Sequence, residues 1–550
     1  MARLDRLVTA KGIAQFGATI GRQFSYGLLQ AVSQLDASTL QRELGRLVEA
    51  EIVYQRGLPP QATYLFKHAL IQDAAYESLL KSTRQHYHQH IAQVLEEQFP
   101  EATEGQPELL AHHYTEAGLI EQAVRYWYKA GQRAMERSAH LEAITHLRQG
   151  LQLLQTLPET RERLQRAVDM HIALGVSLIA TKGWAAPEVG ETYLYARQLC
   201  EPLENPYQLF PILRGLWNHY TIRAEHQTAH TLGEQLLTLA QQVQDSAMLV
   251  AAHAALGRTL YNLGTTAEAH THFTQGLALY DPQQHRASVF LYGEDVGVTS
   301  LSRVSWTLWY LGYPDQGLAQ SQAAMALAQQ IAYPLSLSFA LGCVAVFHQF
   351  RREMRVAQDR AEVLINLAQE QQFPFFMAFG AILRGWALVQ QGQAKEGIEQ
   401  MHQGLIAFRA TGSETFRPHF LTLFAEAHGT IGEPEAGLAV LAEALTLADT
   451  TEERCYEAEL YRLKGVLLLQ QNADNQVEAE TCFHHALDIA RNQQAKSFEL
   501  RAASSLARLW QQQGKRQEAH DLLAPVYHWF TEGFDTPDLK DAKALLDELA

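Results

Sequence analysis

Residues 256–269 read Leu-Gly-Arg-Thr-Leu-Tyr-Asn-Leu-Gly-Thr-Thr-Ala-Glu-Ala, in which an apolar helix is followed by a glycine, a few polar residues and a small residue opening a second helix. The same order of residue types recurs at 306–317 and 386–397, and again around Gly432 and Gly514. Such repetition is typical of solenoids, because one helix pair cannot bury its apolar face alone and neighbouring pairs must stack on it.

The small residue that opens the second helix marks the register of each copy. The anchors are Ala229, Ala269, Gly317, Ala357, Gly397, Gly437, Ala479 and Ala519. Their spacing is 40 residues, except for 48 across an insertion around residues 281–300 and 42 across the stretch that contains residues 472–475. Val189 marks a weaker copy, and Ala123 and Ala143, only 20 residues apart, predict one helix at about 121–137 shared by two units. We therefore expect about ten antiparallel helix pairs.

The residue types at the helix ends support this register. A glycine that suits a left-handed helix end lies five residues before several anchors, namely Gly118, Gly264, Gly312, Gly392, Gly432 and Gly514. Pro314 and Pro434 fall at the start of the second helix, where the missing N–H costs little. Larger apolar residues follow four positions after an anchor, one turn along the same helix face.

The small–large–small pattern resembles the tetratricopeptide repeat. The best match lies at 253–282 and consists of Leu256, Gly257, Ala269, Phe273, Gly276 and Pro282. The period of 40 residues exceeds the usual 34, so longer helices are expected. The resemblance covers about 105–535 and implies an all-α, tetratricopeptide-like α-solenoid.

The first hundred residues do not follow the repeat. They carry 10 Lys and Arg against 9 Asp and Glu, whereas the remainder carries a net charge of −17. Apolar patterning predicts helices at 4–16 and 26–32, a third helix opened by Asp36 or Ser38, a hairpin around residues 57–60, and a long helix at 68–99. We therefore expect a winged-helix-like adaptor with its linking helix at 1–100, a superhelix at 101–535 and a C-terminal helical cap at 536–550.

Two further segments resemble bacterial signal-transduction ATPases with numerous domains. They are Tyr-Leu-Phe-Lys-His-Ala-Leu-Ile-Gln-Asp-Ala-Ala-Tyr at 64–76 and the C-terminal stretch at 505–535. The whole chain is similar to the winged-helix and repeat half of such proteins, in which a cyclase or kinase module and an AAA-type ATPase precede it. The resemblance implies that His68 senses a bound nucleotide, provided that an ATPase module is present. The alternative is a capping or packing histidine at a hairpin-to-helix junction.

Composition excludes several classes of protein. The net charge of −16 over 550 residues argues against nucleic acid as the main partner. No apolar run approaches the roughly 20 residues that span a membrane, and the first residues lack the apolar core of a signal peptide. Four dispersed cysteines are typical of reduced thiols, so a cytoplasmic location is expected.

Catalytic and cofactor motifs are missing from the sequence. No glycine-rich phosphate loop with Lys-Ser/Thr occurs, and no cyclase or kinase signature is found. His86 and His90 share a helix face, but two histidines without further ligands make an incomplete metal site. We therefore expect no enzyme activity, no metal and no cofactor from this chain.

The first helix of each tetratricopeptide pair lines the concave groove, and there the register predicts a set of aromatic and polar residues. These groove candidates are Arg258, Tyr261, Asn262, Trp306, Trp309, Tyr310, Gln349 and Trp386. Aromatics and arginine are favoured in binding hot spots, although large aromatics at helical spacing are also typical of a core.

These features predict a non-catalytic regulatory module that binds a protein or peptide partner and relays the binding to a signal-transduction ATPase or cyclase module. Three alternatives stay open: a small-molecule sensor using the groove, a winged-helix transcription regulator, and an enzyme fragment completed by another chain.

Overall fold

The computed structural model describes residues 7–285 and 288–550. The chain divides into two compact units, unit 1 at Met1–Met170 and unit 2 at His171–Ala550. The first part of the helix expected at 4–16 lies outside the described residues.

Unit 1 combines short helices with a small sheet. In chain order its elements are α1 Val8–Ile20, β1 Gln23–Ser25, α2 Tyr26–Ser33, α3 Ala37–Glu49, β2 Val53–Arg56, β3 Thr63–Phe66, α4 Ala69–Glu77, α5 Lys81–Gln98, α6 Pro100–Gly105, α7 Pro107–Ala117, α8 Ile120–Glu136 and α9 His140–Leu154. The next helix, α10 Arg161–Lys182, begins in unit 1 and ends in unit 2.

The hairpin predicted in unit 1 is confirmed, since β2 and β3 pair antiparallel. β1 pairs with the other edge of β3 and adds a third strand that the sequence analysis missed. Asp36 caps α3 as expected, because its carboxylate accepts the backbone N–H of Thr39 at 2.9 Å.

The single long helix predicted at 68–99 is wrong. α4 ends at Glu77, and α5 begins at Lys81. The Ser78 hydroxyl donates to the carbonyl of Ala75, and Leu80 has an extended backbone with ψ 149°. A serine that bonds to the backbone of the preceding turn competes with continued helix, which explains the break.

Unit 2 is helical throughout its described residues. After α10 it contains α11 Pro187–Cys200, α12 Pro206–Ile222, α13 His226–Val243, α14 Ser246–Asn262, α15 Thr266–Leu279, α16 Ser288–Tyr292, α17 Val296–Tyr310, α18 Pro314–Ile331, α19 Pro334–Phe350, α20 Met354–Gln371, α21 Pro374–Gln390, α22 Ala394–Ala410, α23 Arg417–Thr430, α24 Pro434–Thr451, α25 Glu457–Gln471, α26 Gln476–Asn492, α27 Lys496–Gln512, α28 Arg516–His528 and α29 Pro537–Leu549. Short 3-10 turns lie at Glu201–Leu203 and Ala473–Asn475.

The predicted solenoid of helix pairs is confirmed. The six helix-ending glycines all have positive φ, between 76° and 92°. Pro314 and Pro434 begin α18 and α24, and all eight anchors are buried. At Gly397 an added Cβ would lie 2.5 Å from the carbonyl oxygen of Gly385, so the small residue permits close contact between α21 and α22. In unit 1, α8 packs on both α7 and α9, as the 20-residue spacing predicts.

The two helices of a pair differ in how they are buried. Fourteen of the 15 residues of α17 are buried, but only five of the 18 residues of α18 are. A helix that is buried on all faces lies inside the array, whereas one with a single buried stripe faces solvent. The first helices therefore form the inner layer of unit 2.

Parts of unit 2 that are distant in sequence contact one another through the ends of these inner helices. The carbonyl of Ile222 accepts the N–H of Glu414 at 2.9 Å, and the carbonyl of Asn262 accepts the N–H of Arg454 at 2.8 Å. Both contacts join residues 192 positions apart. They satisfy carbonyls that a helix end otherwise leaves unpaired, and they close the inner surface of the array from α12 to α25.

Candidate functional site

The eight groove candidates all lie on inner helices of unit 2. Three are on α14, three on α17, one on α19 and one on α21. All eight are buried, and Gln349, with 6% of its surface exposed, is the most accessible. They belong to the packed interior that forms where inner helices meet.

Tyrosines from three inner helices meet in this interior. The Tyr261 hydroxyl lies 3.1 Å from that of Tyr310 and 3.2 Å from that of Tyr456. Burial raises the pKa of all three phenols well above the ordinary value. Trp309 stacks on Phe350 with ring centroids 4.9 Å apart. The cluster therefore joins distant repeats and leaves these rings little surface for a ligand.

A cavity of about 320 Å³ opens beside this cluster, between inner helices α19, α21, α23, α25 and α27 and the terminal helix α29. Two of the groove candidates, Gln349 and Trp386, line the cavity. Its volume lies in the range of small-ligand pockets. We take this inner cavity as the candidate functional site.

Aromatic side chains form one wall of the inner cavity. Trp386 donates its indole N–H to Glu426 at 2.8 Å, and burial raises the pKa of that carboxyl. His419 stacks on Tyr456 with ring centroids 4.3 Å apart. Burial lowers the pKa of His419 to about 3, so its ring is neutral at pH 7.

Charged side chains form the opposite wall. Arg462 donates two hydrogen bonds of 2.8 Å to the carboxylate of Glu459, and Arg501 donates one of 2.8 Å to the carboxylate of Asp538. Burial favours the neutral form of Glu459, but the adjacent Arg462 outweighs it and lowers the pKa. Arg508 also lines the cavity; it is exposed and forms no ion pair with the described residues.

Three buried polar atoms, each on a residue that lines the inner cavity, lack a hydrogen-bond partner among the described residues. They are Gln349 Oε1, Gln390 Nε2 and His419 Nε2. Gln349 and His419 are more than nine-tenths buried. A buried polar atom without a partner costs free energy, so a hydrogen bond to any of these three atoms would stabilise this region.

Sequence patterns did not predict two sets of charged residues, one at the inner cavity and one buried on or near α12 and α17. Arg462, Arg501 and Asp538 of the inner cavity were not predicted, and neither were Arg214, Arg303 and Glu294, which lie buried on or near α12 and α17. One signal was available, because Arg214, Arg258 and Arg303 are lone charges on three successive apolar inner helices.

His68 lies at the hairpin-to-helix junction of unit 1. Its carbonyl accepts the N–H of Ile71, but its side chain is exposed and makes no capping hydrogen bond. His90 donates through Nε2 to the carbonyl of Val32, 3.1 Å away. No cluster of three or more metal-ligating side chains occurs among the described residues. Within the same residues, every helix is too short or too polar to cross a bilayer.

No family model matches the chain. Over 512 residues it is 25% identical to an uncharacterized protein of Rhizobium meliloti (strain 1021), covering 92% of this chain and 49% of the relative. The chain thus spans about half the length of that curated relative.

Two solved structures are similar to the chain. One is a Rap protein complexed with competence and sporulation factor, at 12% identity and a TM-score of 0.46, covering 79% of this chain and 99% of that one. The other is a signal-transduction ATPase with a tetratricopeptide repeat sensor from Pyrococcus horikoshii, at 11% identity and a TM-score of 0.46, covering 83% of this chain and 65% of that one. Both TM-scores lie below 0.5, so neither neighbour carries an argument about the function of this chain.

Proposed function

We propose that this chain is a non-catalytic interaction module that holds a short peptide segment of a protein partner in the inner cavity of unit 2. The observation that carries the proposal is the cavity of about 320 Å³, which is lined by the side-chain amides of Gln349 and Gln390 and by charged residues such as Arg508. The size suits a short segment of extended chain and not a folded domain.

The chemistry of the walls favours a peptide. An extended peptide carries one N–H donor and one C=O acceptor per residue. The side-chain amides of Gln349 and Gln390 can each accept from such an N–H and donate to such a C=O once they turn toward the cavity. The exposed guanidinium of Arg508 would bind a carboxylate of the peptide.

A cavity-filling substitution tests the site. Ser504 lines the cavity on α27, is half-buried and makes no side-chain hydrogen bond with the described residues, so Ser504→Trp fills the space without removing a contact. Peptides selected from a random library on the wild-type chain should bind Ser504→Trp at least tenfold more weakly by fluorescence anisotropy. Thr481→Trp, on the exposed face of α26, is the matched control and should bind normally. Equal binding to both variants would refute the inner cavity as the site.

A small-molecule sensor is the second candidate, because the same volume fits a sugar or nucleoside. A thermal-shift screen with sugars, nucleotides and amino acids separates the two proposals. A ligand from that panel that stabilises the wild type but not Ser504→Trp, with no peptide enriched, would favour the sensor.

We also propose that residues 1–100 act as a winged-helix-like adaptor that relays binding to an ATPase or cyclase module in the cytoplasm. Support comes from the element order, in which β1, β2 and β3 form one small sheet beside three helices. His68 and Leu70, two residues apart, are both exposed, Leu70 to 79%. They would offer a polar and an apolar contact to such a module. Cys343, Cys455 and Cys482 are buried and form no disulfide among the described residues, which suits a reducing compartment.

The relay is tested by supplying a signal-transduction ATPase domain as a separate chain. Nucleotide hydrolysis by that domain should change on addition of this chain, and His68→Ala should remove the change. An unchanged hydrolysis rate with the wild-type chain would contradict the relay.

A further inference from the structure

The first part of α29 directs two carboxylates at arginines that line the inner cavity. Arg501 on α27 donates through Nε to Asp538 at 2.8 Å. Arg352, which follows the end of α19, donates through Nη1 to Asp538 at 3.2 Å and to Asp541 at 2.8 Å. Asp538 and Asp541 are three residues apart and therefore lie on one face of the helix. All four side chains line the cavity and form one ionic network across it.

An apolar face keeps α29 in place independently of this network. The helix packs against α27 and α28. Its buried residues are Leu539, Ala542, Leu545, Leu546 and Leu549. The start of the helix is fixed by Thr536, whose hydroxyl donates to the carbonyl of Gly533 at 2.6 Å. The negative charges of α29 can therefore be removed while the helix stays docked.

The arginines of the inner cavity depend on α29 for much of their counter-charge. Four arginines line the cavity against four carboxylates, and two of those carboxylates belong to α29. Among the described residues, Arg352 forms ion pairs with Asp538 and Asp541 alone. Burial by itself would lower the pKa of Arg352, but the two aspartates outweigh it and raise that pKa. Without Asp538 and Asp541, the cavity would carry an excess of positive charge.

A ligand can reach the outer part of this network. The side chains of Arg352 and Asp541 are 42% and 44% exposed, whereas those of Arg501 and Asp538 are 11% and 15% exposed. An ion pair that is open to water contributes little to stability, because solvent screens it. Exchanging Asp541 for a carboxylate of another molecule therefore costs little, and the deeper Asp538 is the stronger competitor.

We propose that α29 is an autoinhibitory element, in which Asp538 and Asp541 occupy the place of acidic side chains of the partner segment. This inference rests on the proposed peptide site and names the partner segment as acidic. Carboxylates of the segment pair with Arg352 and Arg501, while the two aspartate side chains turn to solvent and the backbone of α29 stays docked. A guanidinium binds a carboxylate from either source in the same way. The module therefore binds an acidic segment in competition with its own terminal helix.

Two isosteric substitutions in the full chain test this competition. Asp538→Asn combined with Asp541→Asn keeps the shape of both side chains and removes their charges. Fluorescein-labelled hexaglutamate should bind this double variant roughly tenfold more tightly than the wild type by fluorescence anisotropy, whereas hexaglutamine should show no gain. Equal affinity of hexaglutamate for both proteins, including no binding by either, would overturn the proposal. If the double variant does not fold, Asp541→Asn alone decides by the same comparison.

A matched control separates local competition from the overall charge of the chain. Asp547→Asn combined with Glu548→Gln removes the same charge from the far end of α29, away from the cavity lining, and should bind hexaglutamate like the wild type. Adding Arg352→Met to the double aspartate variant should remove most of the gain. An equal gain in the control, or an undiminished gain with Arg352→Met, would also overturn the proposal. The proposed function is judged separately, because Ser504→Trp tests the cavity with peptides of any charge.

Discussion

At single anchor positions, the absence of a methyl group sets how closely two helices approach. Gly397 faces the carbonyl of Gly385 and the side chain of Val389, so a Cβ there would lie within 2.6 Å of both. The sequence predicted these anchors well, because small residues at a fixed 40-residue spacing are a local signal. It did not predict which side chains would be left without partners, since that depends on residues brought together from distant repeats.

Gly397→Ala should lower the free energy of unfolding by about 1–3 kcal/mol, because the new methyl group collides with backbone that cannot move aside. Gly45→Ala, in α3, has nothing within 4 Å of the added Cβ and should be neutral or stabilising by about 0.5–1 kcal/mol. Urea denaturation of both variants provides the measurement. Equal effects at the two positions would contradict the close-approach explanation.

His419 makes stability depend on pH. Its folded pKa of about 3 lies below the ordinary value of 6.5, so the unfolded state binds a proton that the folded state does not between these values. Stability is therefore present above pH 6.5 and is lost as the pH falls below it. From pH 7 to pH 5, the wild type should lose about 2 kcal/mol more stability than His419→Gln. Parallel urea titrations at the two pH values check this, and identical losses would count against a neutral buried ring.

At the scale of elements, the sequence predicted helix ends better than helix breaks or short strands. Glycine and proline mark the ends of α14, α17 and α21 and the starts of α18 and α24. The break between α4 and α5 contains neither residue, and β1 is three residues long, so no alternation was visible. The insertion at 281–300 was recognised, but its role in starting α17 was not.

Asp295 is the residue through which that insertion starts α17. Its carboxylate accepts the N–H of Val298 at 2.9 Å and the hydroxyl of Tyr280 at 2.9 Å. Asp295→Ala should cost about 2 kcal/mol, from the lost helix cap and the unpaired Tyr280 hydroxyl. Asp295→Asn keeps a capping side chain and should lose less than half as much. Thermal denaturation compares them, and equal losses would show that the cap is not the cause.

At the largest scale, each of the two units has its own internal packing, and unit 2 is also held by contacts between its own distant repeats. Local periodicity predicts that each helix pair stacks on the next one along the chain. It does not show which repeats contact each other when several other repeats lie between them in the sequence. The closure through Ile222 with Glu414, and Asn262 with Arg454, was therefore not predicted. It explains why all eight groove candidates are buried, while the cavity opens between the inner helices from α19 to α27 and α29.

Arg501 on α27 connects three parts of this closure. It donates to the carbonyl of Phe350 at 2.6 Å and to Asp538 at 2.8 Å, and its guanidinium lies 4.9 Å from the ring centroid of Trp309. Arg501→Met should lower the free energy of unfolding by about 3 kcal/mol, because a largely buried carboxylate loses a partner. Hydrogen exchange should also speed up at the end of α19. Arg409→Met, an exposed arginine, should change neither measurement.

The central claim is that the inner cavity of unit 2 binds a peptide segment. Hydrogen exchange of the full chain, with and without a library-selected peptide, tests it most directly. The account predicts slower exchange confined to α19, α21, α23, α25 and α27, and no such protection in Ser504→Trp. Protection confined to the outer helices, or protection that persists in Ser504→Trp, would contradict it.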